Sequence, residues 1–362
     1  MTPFGPRRAP TRVRRKRYPT KEEAQVAAAE VKKKKKREKW GRVIETKMNS
    51  VIQYSAEARQ EYPSIVKQCE DAGFQFRWVI PDRLLPGPHH YNPGIIERRD
   101  GIWMAYRDQN EFRDSRIGIC RLAGDEVLPE ENREIKLPDH FGRLEQREDP
   151  RLFWFQGNVW MNYVAWDRKR CAAMAIVRLS EDWRVVEELT TTWGDNWGSH
   201  VFQKNWAFFE YPEGLAMIYY PSPSHEVVQL DVNGHASNHL RENGIHWSWG
   251  LPRGGTSPVL HDGLYWTFFH SRLLNPDARF RYFAGAYAFL PEAPHTPVKM
   301  TARPLFAASE EDPSISTLPL AVFPCGAIFK NGEWWVSCGV NDVRCAIVRI
   351  HHKDLARRMV PC

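Results

Sequence analysis

Glu148-Asp149-Pro150-Arg151 is the stretch of this chain best equipped for chemistry. It sets two carboxylates, a residue of fixed φ and a guanidinium in four positions. An acid and an arginine so placed suit protonating a leaving group beside a bound anion. On their own the four residues read more readily as a charged loop ahead of the apolar run 152–155. Their meaning depends on what the rest of the fold brings to them.

The elements that would position them come from a repeat. A turn glycine followed by an aromatic-rich strand occurs as Gly101-Ile-Trp-Met-Ala-Tyr106, Gly157-Asn-Val-Trp-Met-Asn-Tyr163, Gly214-Leu-Ala-Met-Ile-Tyr-Tyr220, Gly263-Leu-Tyr-Trp-Thr-Phe-Phe269 and Gly332-Glu-Trp-Trp-Val-Ser337. The five copies are spaced by 56, 57, 49 and 69 residues. That length fits one four-stranded propeller blade with long loops, each copy being the second strand of a hairpin that crosses its blade. The expectation is an all-β, five-bladed β-propeller; a β-sandwich with unrelated Gly-Trp hairpins is the competing architecture. In a propeller the innermost strands and loops meet at one axial pocket, so scattered polar residues can converge. Asn92-Pro93 and Arg107-Asp108 flank the first copy. Glu148 to Arg151 precede the second, and Arg168 and Arg170 follow it. Lys204-Asn205 precedes the third, and Arg253-Gly254-Gly255-Thr256 and His270 flank the fourth. Phe323-Pro324-Cys325-Gly326 and Gly339-Val340-Asn341-Asp342 flank the fifth.

Composition agrees. Fifteen Trp, 26 Pro and 42% hydrophobic residues in 362 point to a β-rich, loop-rich body with an ample core. No apolar run approaches the ~18 residues that span a bilayer, and the charged start lacks the apolar stretch of a secretory signal. Seven scattered Cys without a CxxC pair read as reduced thiols in a cytoplasmic protein. Residues 1–42 hold 16 Lys or Arg against 4 Glu, net +12; the chain is +7, which leaves −5 on residues 43–362. The basicity thus belongs to a tail (residues 1–42), in which Thr20-Lys21-Glu22-Glu23 is a capping box opening an Ala-rich helix. That N-terminal basic helical extension could contact a polyanion such as nucleic acid or an anionic surface, or stay solvated; without interleaved aromatics it is poorly suited to stacking on bases. Residues 43–85 are expected to be a helical linker docking on the body, with helix over 55–72, and residues 86–355 the propeller. His89-His90 and His351-His352 lack a third ligand nearby in sequence, so no metal and no organic cofactor is expected. Cys325 is expected to be a packing residue.

Taken in order, these motifs resemble glycoside hydrolase family 130, the β-mannoside phosphorylases and their mannosidase relatives. The likeness runs from Asn92-Pro93 through Tyr282-Phe-Ala-Gly285-Ala286-Tyr287 to Asp342, about residues 88–350. It implies a five-bladed propeller and a mannosyl-like substrate. It implies Asp149 as general acid, acting on the glycosidic oxygen through a sugar hydroxyl. It implies Arg151, Arg170, Lys204 and His270 as the pocket for inorganic phosphate, the co-substrate. It implies Asn92, Arg107 and Asp342 as ligands of the sugar hydroxyls. The residues before His270 are Tyr-Trp-Thr-Phe-Phe, where the family more often has a tyrosine beside the histidine, and residues 1–60 have no counterpart.

The physics agrees with phosphate use: a dianion attacking an anomeric carbon needs a cationic cradle, and one carboxyl then suffices. An inverting hydrolase needs a second carboxyl about 6.5–9.5 Å away, for which Glu148 or Glu210 would serve as base. A glycosyltransferase on the same scaffold and a non-catalytic propeller that binds glycans or polyanions are the other readings. An oligomer is compatible with all of them.

Overall fold

The computed structural model describes residues 56–362 except 80–86, 111–113, 125, 142–144, 168–170, 199, 232, 275–279 and 315–318. The basic tail, residues 43–55, Arg168 and Arg170 therefore lie outside the described residues.

The chain enters through a 3₁₀ turn, Ala56–Arg59, and helix α1 (Ile65–Ala72), then strand β1 (Gln75–Val79). Ser64 caps α1 and Gly73, in the left-handed region, ends it. The Asp312 carboxylate accepts from the backbone of Ile65, and Gln68 binds the backbone of Ala307, so the helix docks on the outside of the body.

The first sheet orders β2 (His89–Arg98), β3 (Gly101–Gln109), β4 (Ser115–Ala123) and β5 (Glu126–Glu134). The second orders β6 (Glu145–Phe155), β7 (Asn158–Asp167), β8 (Cys171–Leu179) and β9 (Val185–Leu189). The third orders β10 (Ala207–Tyr211), β11 (Gly214–Tyr220), β12 (Ser224–Leu230) and β13 (Ala236–Asn243). The fourth is built on β14 (Leu251–Arg253), β15 (Val259–His261), β16 (Leu264–Leu274), β17 (Phe280–Phe289), β18 (Pro297–Thr301) and β19 (Phe306–Ala307). The fifth orders β20 (Val322–Lys330), β21 (Glu333–Val340), β22 (Arg344–His351) and then β1 at its edge. After helix α2 (His352–Ala356), β23 (Met359–Pro361) returns to β18 and makes the fourth sheet seven-stranded.

The arrangement is all-β and propeller-like. Four sheets have the regular four-stranded form; the fourth departs from it, because its inner strand is split around 254–258 and the C-terminus is added at its edge. Two domain limits also shift. Residues 75–79 are a strand of the last sheet, not helical linker, and the sheets extend past 355 to β23. Within 55–72 the helix is limited to the 3₁₀ turn Ala56–Arg59 and to α1 over the second half. β1 pairing with β22 ties the entering chain to the last sheet and covers an edge that would otherwise stand unpaired.

The Gly-aromatic repeat is the second strand of a hairpin in every sheet, as expected, and it stands second from the inner edge. Three copies follow two-residue turns with positive φ at both positions: Gln156-Gly157 (51°, 68°), Asp262-Gly263 (48°, 72°) and Asn331-Gly332 (53°, 79°). Those angles match the strand twist, which is why glycine recurs there.

The core lies between the sheets. Ile96 and Trp103 of the first pack on Leu152 and Met161 of the second. Phe153 and Trp160 meet Phe208 and Met217 of the third. Phe209 and Ile218 meet Phe269 and Tyr287 of the fourth. Trp266 and Phe268 meet Trp334 and Val336 of the fifth. Ile328 and Trp335 meet Ile95 and Met104 of the first. The sequence of seams returns to its start. At the centre the inner strands nearly touch: a Cβ on Gly94 would lie 2.6 Å from the Pro150 carbonyl, and one on Gly326 would overlap the Ile95 nitrogen. This waist lies between the two ends of the inner strands, and so between two mouths.

Candidate active site

At one mouth, inner strands bend where the sequence places proline. The β2–β3 register shifts between Tyr91 and Gly94, the β6–β7 register between Glu148 and Arg151, and the β20–β21 register between Pro324 and Gly326. The first two bulges span an X-Pro step and the third directly follows Pro324, since proline cannot supply a ladder hydrogen bond. The bulges re-aim side chains toward the axis, with Asn92 at φ 50° and Asp149 at φ 54°. Asn205 (φ 67°) and Asp342 (φ 54°) adopt the same left-handed backbone in other sheets.

Asp149 is 6% exposed, and Asn92 Nδ2 donates to its Oδ1 at 2.7 Å. Arg107 Nη1 lies 3.7 Å from the same oxygen. The other arm of Arg107 pairs with Glu148 at 2.7 Å, and Lys204 Nζ holds the second Glu148 oxygen at 2.8 Å. Tyr91 lies under the Arg107 guanidinium at 4.9 Å, and Trp166 under the Lys204 ammonium at 4.6 Å. Burial works against the charge of Lys204, but Glu148 and Asp149 outweigh it and hold the ammonium above its ordinary value. Asp342 faces this group from the β21–β22 turn. Burial lifts its carboxyl from 3.8 to about 6; Arg107 pulls the other way, and Asp149 and Glu148 add to the rise. Its neighbour Asn341 is fully buried and bonded to the backbone of Ala321 and Ser309, which fixes the turn.

A second group adjoins the first. Arg151 is fully buried. Its Nε donates to the Gly255 carbonyl at 2.6 Å, Nη1 to the Asp149 carbonyl at 3.2 Å and Nη2 to Asn205 Oδ1 at 3.3 Å. The arginine thus braces three sheets rather than binding the Asp149 carboxyl. His270 lies on β16 directly opposite Arg253 of β14 and stacks between Tyr282 (5.6 Å) and Phe323 (4.2 Å). Burial, with Arg253, Arg151 and Arg272 acting in the same sense, holds its imidazole well below the ordinary value, so it is neutral at pH 7. The aromatic hydroxyl beside this histidine comes from Tyr282 of the next strand.

Of the residues singled out in the sequence, Asn92, Arg107, Asp149, Lys204 and Asp342 form one group. Arg151 and His270 form the second, and Arg170 lies outside the described residues. Glu210 is corrected as a candidate base: it sits at the far end of β10, where Gln156 N donates to its carboxylate. Glu148 was named only as an alternative base, yet it is the hub of the first group. Arg272 was missed; its signal was the two-residue spacing from His270, which puts both on one face of a strand.

Among the described residues, His261, Asp262 and His352 place one ligand atom each within 4.8 Å of one another. Trp334 Nε1–H donates to His352 Nδ1 at 3.0 Å, which leaves Nε2 as the protonated nitrogen facing Asp262. His261 Nε2 and His352 Nε2 stand 3.3 and 3.6 Å from the Asp262 carboxylate, so the trio reads as an electrostatic contact between the fourth sheet and the chain that follows the fifth. All seven cysteines are free thiols, and Cys325 is buried in packing. No helix among the described residues is long and apolar enough to cross a membrane.

No family model matches this chain, and no curated protein matches it in sequence. By structure it is similar to β-1,2-mannobiose phosphorylase from Listeria innocua, at 15% identity and TM-score 0.58, over 76% of this chain and 94% of that one. It is similar to a mannose phosphorylase from Leishmania mexicana solved with a phosphate ion, at 14% identity and TM-score 0.54, over 82% and 95%. It is also similar to a Parabacteroides distasonis protein assigned provisionally as a glycoside hydrolase, at 15% identity and TM-score 0.59, over 79% and 98%. At such identities the likeness is one of fold: this chain shares the propeller-like architecture of structures described as mannoside phosphorylases and glycoside hydrolases.

Proposed function

We propose that this chain is a glycoside-processing enzyme that transfers a mannosyl-like unit between a β-linked glycoside and inorganic phosphate, with Asp149 as proton donor. The observation that carries the reading is the Asn92–Asp149–Arg107 cluster with a separate cationic group beside it. Asp149 would hand its proton to the departing glycosidic oxygen, directly or through a sugar hydroxyl. Asn92, Arg107 and Asp342 would hold hydroxyls of the sugar. Arg253 and Arg272 around neutral His270, with Lys204, would hold the phosphate, and Arg170 is proposed to join them. Arg151 would shape that pocket by fixing Gly255 and Asn205. Neutral His270 can donate a hydrogen bond without adding charge. The five seams support counting the seven-stranded fourth sheet as a blade as well, which makes five blades in a closed propeller. The phosphorylase names of two structural neighbours favour the same chemistry.

Hydrolysis is the second reading, and Asp342 favours it, since a carboxyl near 6 suits a general base for water. Glu148 is less suited, being held between two cations. The test is release of sugar from β-1,2-mannobiose with and without phosphate. Sugar 1-phosphate formed only with phosphate supports the first reading; free mannose at an unchanged rate without phosphate replaces it with the second. Residues 1–42 are proposed to contact polyanions. Their removal should abolish binding to a DNA or heparin column at low salt and leave turnover intact.

A further inference from the structure

The far mouth of the ring, beyond the waist, has features that the reaction does not use. The distal ends of the inner strands line a cavity of 550 Å³. Its walls are mostly apolar, Ile96, Leu152 and Phe329 among them, with Glu97 and Glu210 also in the lining. Ser257 lines it too, is only 7% exposed, and its Oγ has no hydrogen-bond partner among the described residues. A buried hydroxyl in that state favours a ligand that brings it a polar atom. Trp154 is 43% exposed and borders both this cavity and a neighbouring cleft of 740 Å³. The cleft is lined by Arg99, Asp100, Asn158 and Ser180. Its walls are fixed: Arg98 donates to the Glu181 carbonyl at 2.9 Å, and Arg178 to the Glu187 carboxylate at 2.7 Å.

We propose that the two hollows form one non-catalytic groove for an oligosaccharide, centred on Trp154, on the face opposite Asp149. The substrate class rests on the glycoside-processing reading above. A pyranose ring has an apolar C–H face and a rim of hydroxyls. The exposed indole takes the C–H face. Glu97, Glu210 and Asp100 accept from hydroxyls, Arg99 donates to them, and Ser257 can do either. An acyl chain would fill the apolar cavity but leave Ser257 unpaired and the polar cleft unused. The groove lies on the other side of Gly94 and Gly326 along the inner strands from Asn92 and Asp149, so it anchors a longer glycan without entering the chemistry.

The test uses Asp149→Asn in the full chain, titrated by calorimetry with β-1,2-linked mannotriose to mannopentaose and, in parallel, xylo- and gluco-oligosaccharides of the same length. Two binding events per chain are expected for at least one series. Adding Trp154→Ala or Ser257→Val should remove one event, about a tenfold or greater loss of affinity at that site. In the otherwise unaltered enzyme the same two changes should leave kcat/KM on the disaccharide and the melting temperature unchanged. A single event in every variant, or two events insensitive to Trp154 and Ser257, overturns the proposal. Failure of the glycoside-processing reading is seen separately, as absence of turnover by the unaltered enzyme on any of these sugars.

Discussion

Asn92 donates to the Asp149 carboxyl at 2.7 Å across the seam of the first two sheets, and both residues hold the left-handed backbone that a proline-containing bulge imposes. The bond and the backbone can be separated. Asn92→Gly keeps the left-handed conformation without strain and removes the donor. It is expected to lower kcat/KM about tenfold or more with a melting temperature near that of the parent. Asn92→Ala should lose the same activity and also about 1 kcal/mol of stability, because a Cβ disfavours positive φ. Calorimetric melting beside steady-state kinetics distinguishes the two.

Glu148 neutralises Arg107 and Lys204 from a site that is 2% exposed. Removing one member of such a buried group leaves charge unmatched, typically at a cost of about 3–5 kcal/mol. Lys204 retains some contact with solvent, so Glu148→Gln should cost less, about 2–3 kcal/mol in urea unfolding. Glu148→Gln with Lys204→Met should recover part of that loss, since the two sites are coupled. Additive losses would mean that the pair is not an interacting unit.

Arg253 and Arg272 set the charge around His270. If that region holds phosphate, Arg253→Gln and Arg272→Gln should each raise the KM for phosphate about tenfold or more, with a smaller effect on the KM for the glycoside. Equal rises in both constants would place them at the sugar instead.

Stability should fall on acidification for a definable reason. His225 is buried against the Tyr287 hydroxyl, and burial, with His295 adding to it, takes its imidazole from 6.5 to about 3. Below pH 6.5 the unfolded chain binds a proton that the folded one refuses, so stability drops as pH falls toward 3, by at most about 1.4 kcal/mol per pH unit from this group. His225→Gln should flatten that limb. Asp342 acts in the opposite sense. Its folded carboxyl titrates near 6 and the unfolded one near 3.8, so it lowers stability as pH rises from 4 to 6. Asp342→Asn should therefore gain stability above pH 6 while losing activity. Thermal melts at half-unit pH steps measure both.

Much of this architecture was legible in the sequence. The turn glycine and its aromatic strand gave the second strand of each sheet, because a two-residue turn with positive φ needs glycine. The bulges went beyond that reading; their signal was Pro93, Pro150 and Pro324, because proline interrupts a ladder. What escaped notice was set by packing between sheets. Arg151 looked like a ligand-binding cation but spends its guanidinium on the carbonyls of Gly255 and Asp149. Glu210 looked like an available base but lies beyond the waist, a matter of which end of a strand faces which mouth. The strand at 75–79 has no partner near in sequence; it forms because β22 offers an edge more than 260 residues later.

The central claim, that Asp149 donates a proton to the leaving group, is tested most directly by comparing Asp149→Asn with the parent on two β-mannosides at saturating phosphate. One carries a sugar leaving group and the other a dinitrophenolate, which departs without protonation. A general acid contributes about 10²–10⁴-fold. The substitution should therefore cost that much on the disaccharide and less than about tenfold on the dinitrophenyl glycoside. Equal losses on both substrates, or no loss on the disaccharide, would contradict it.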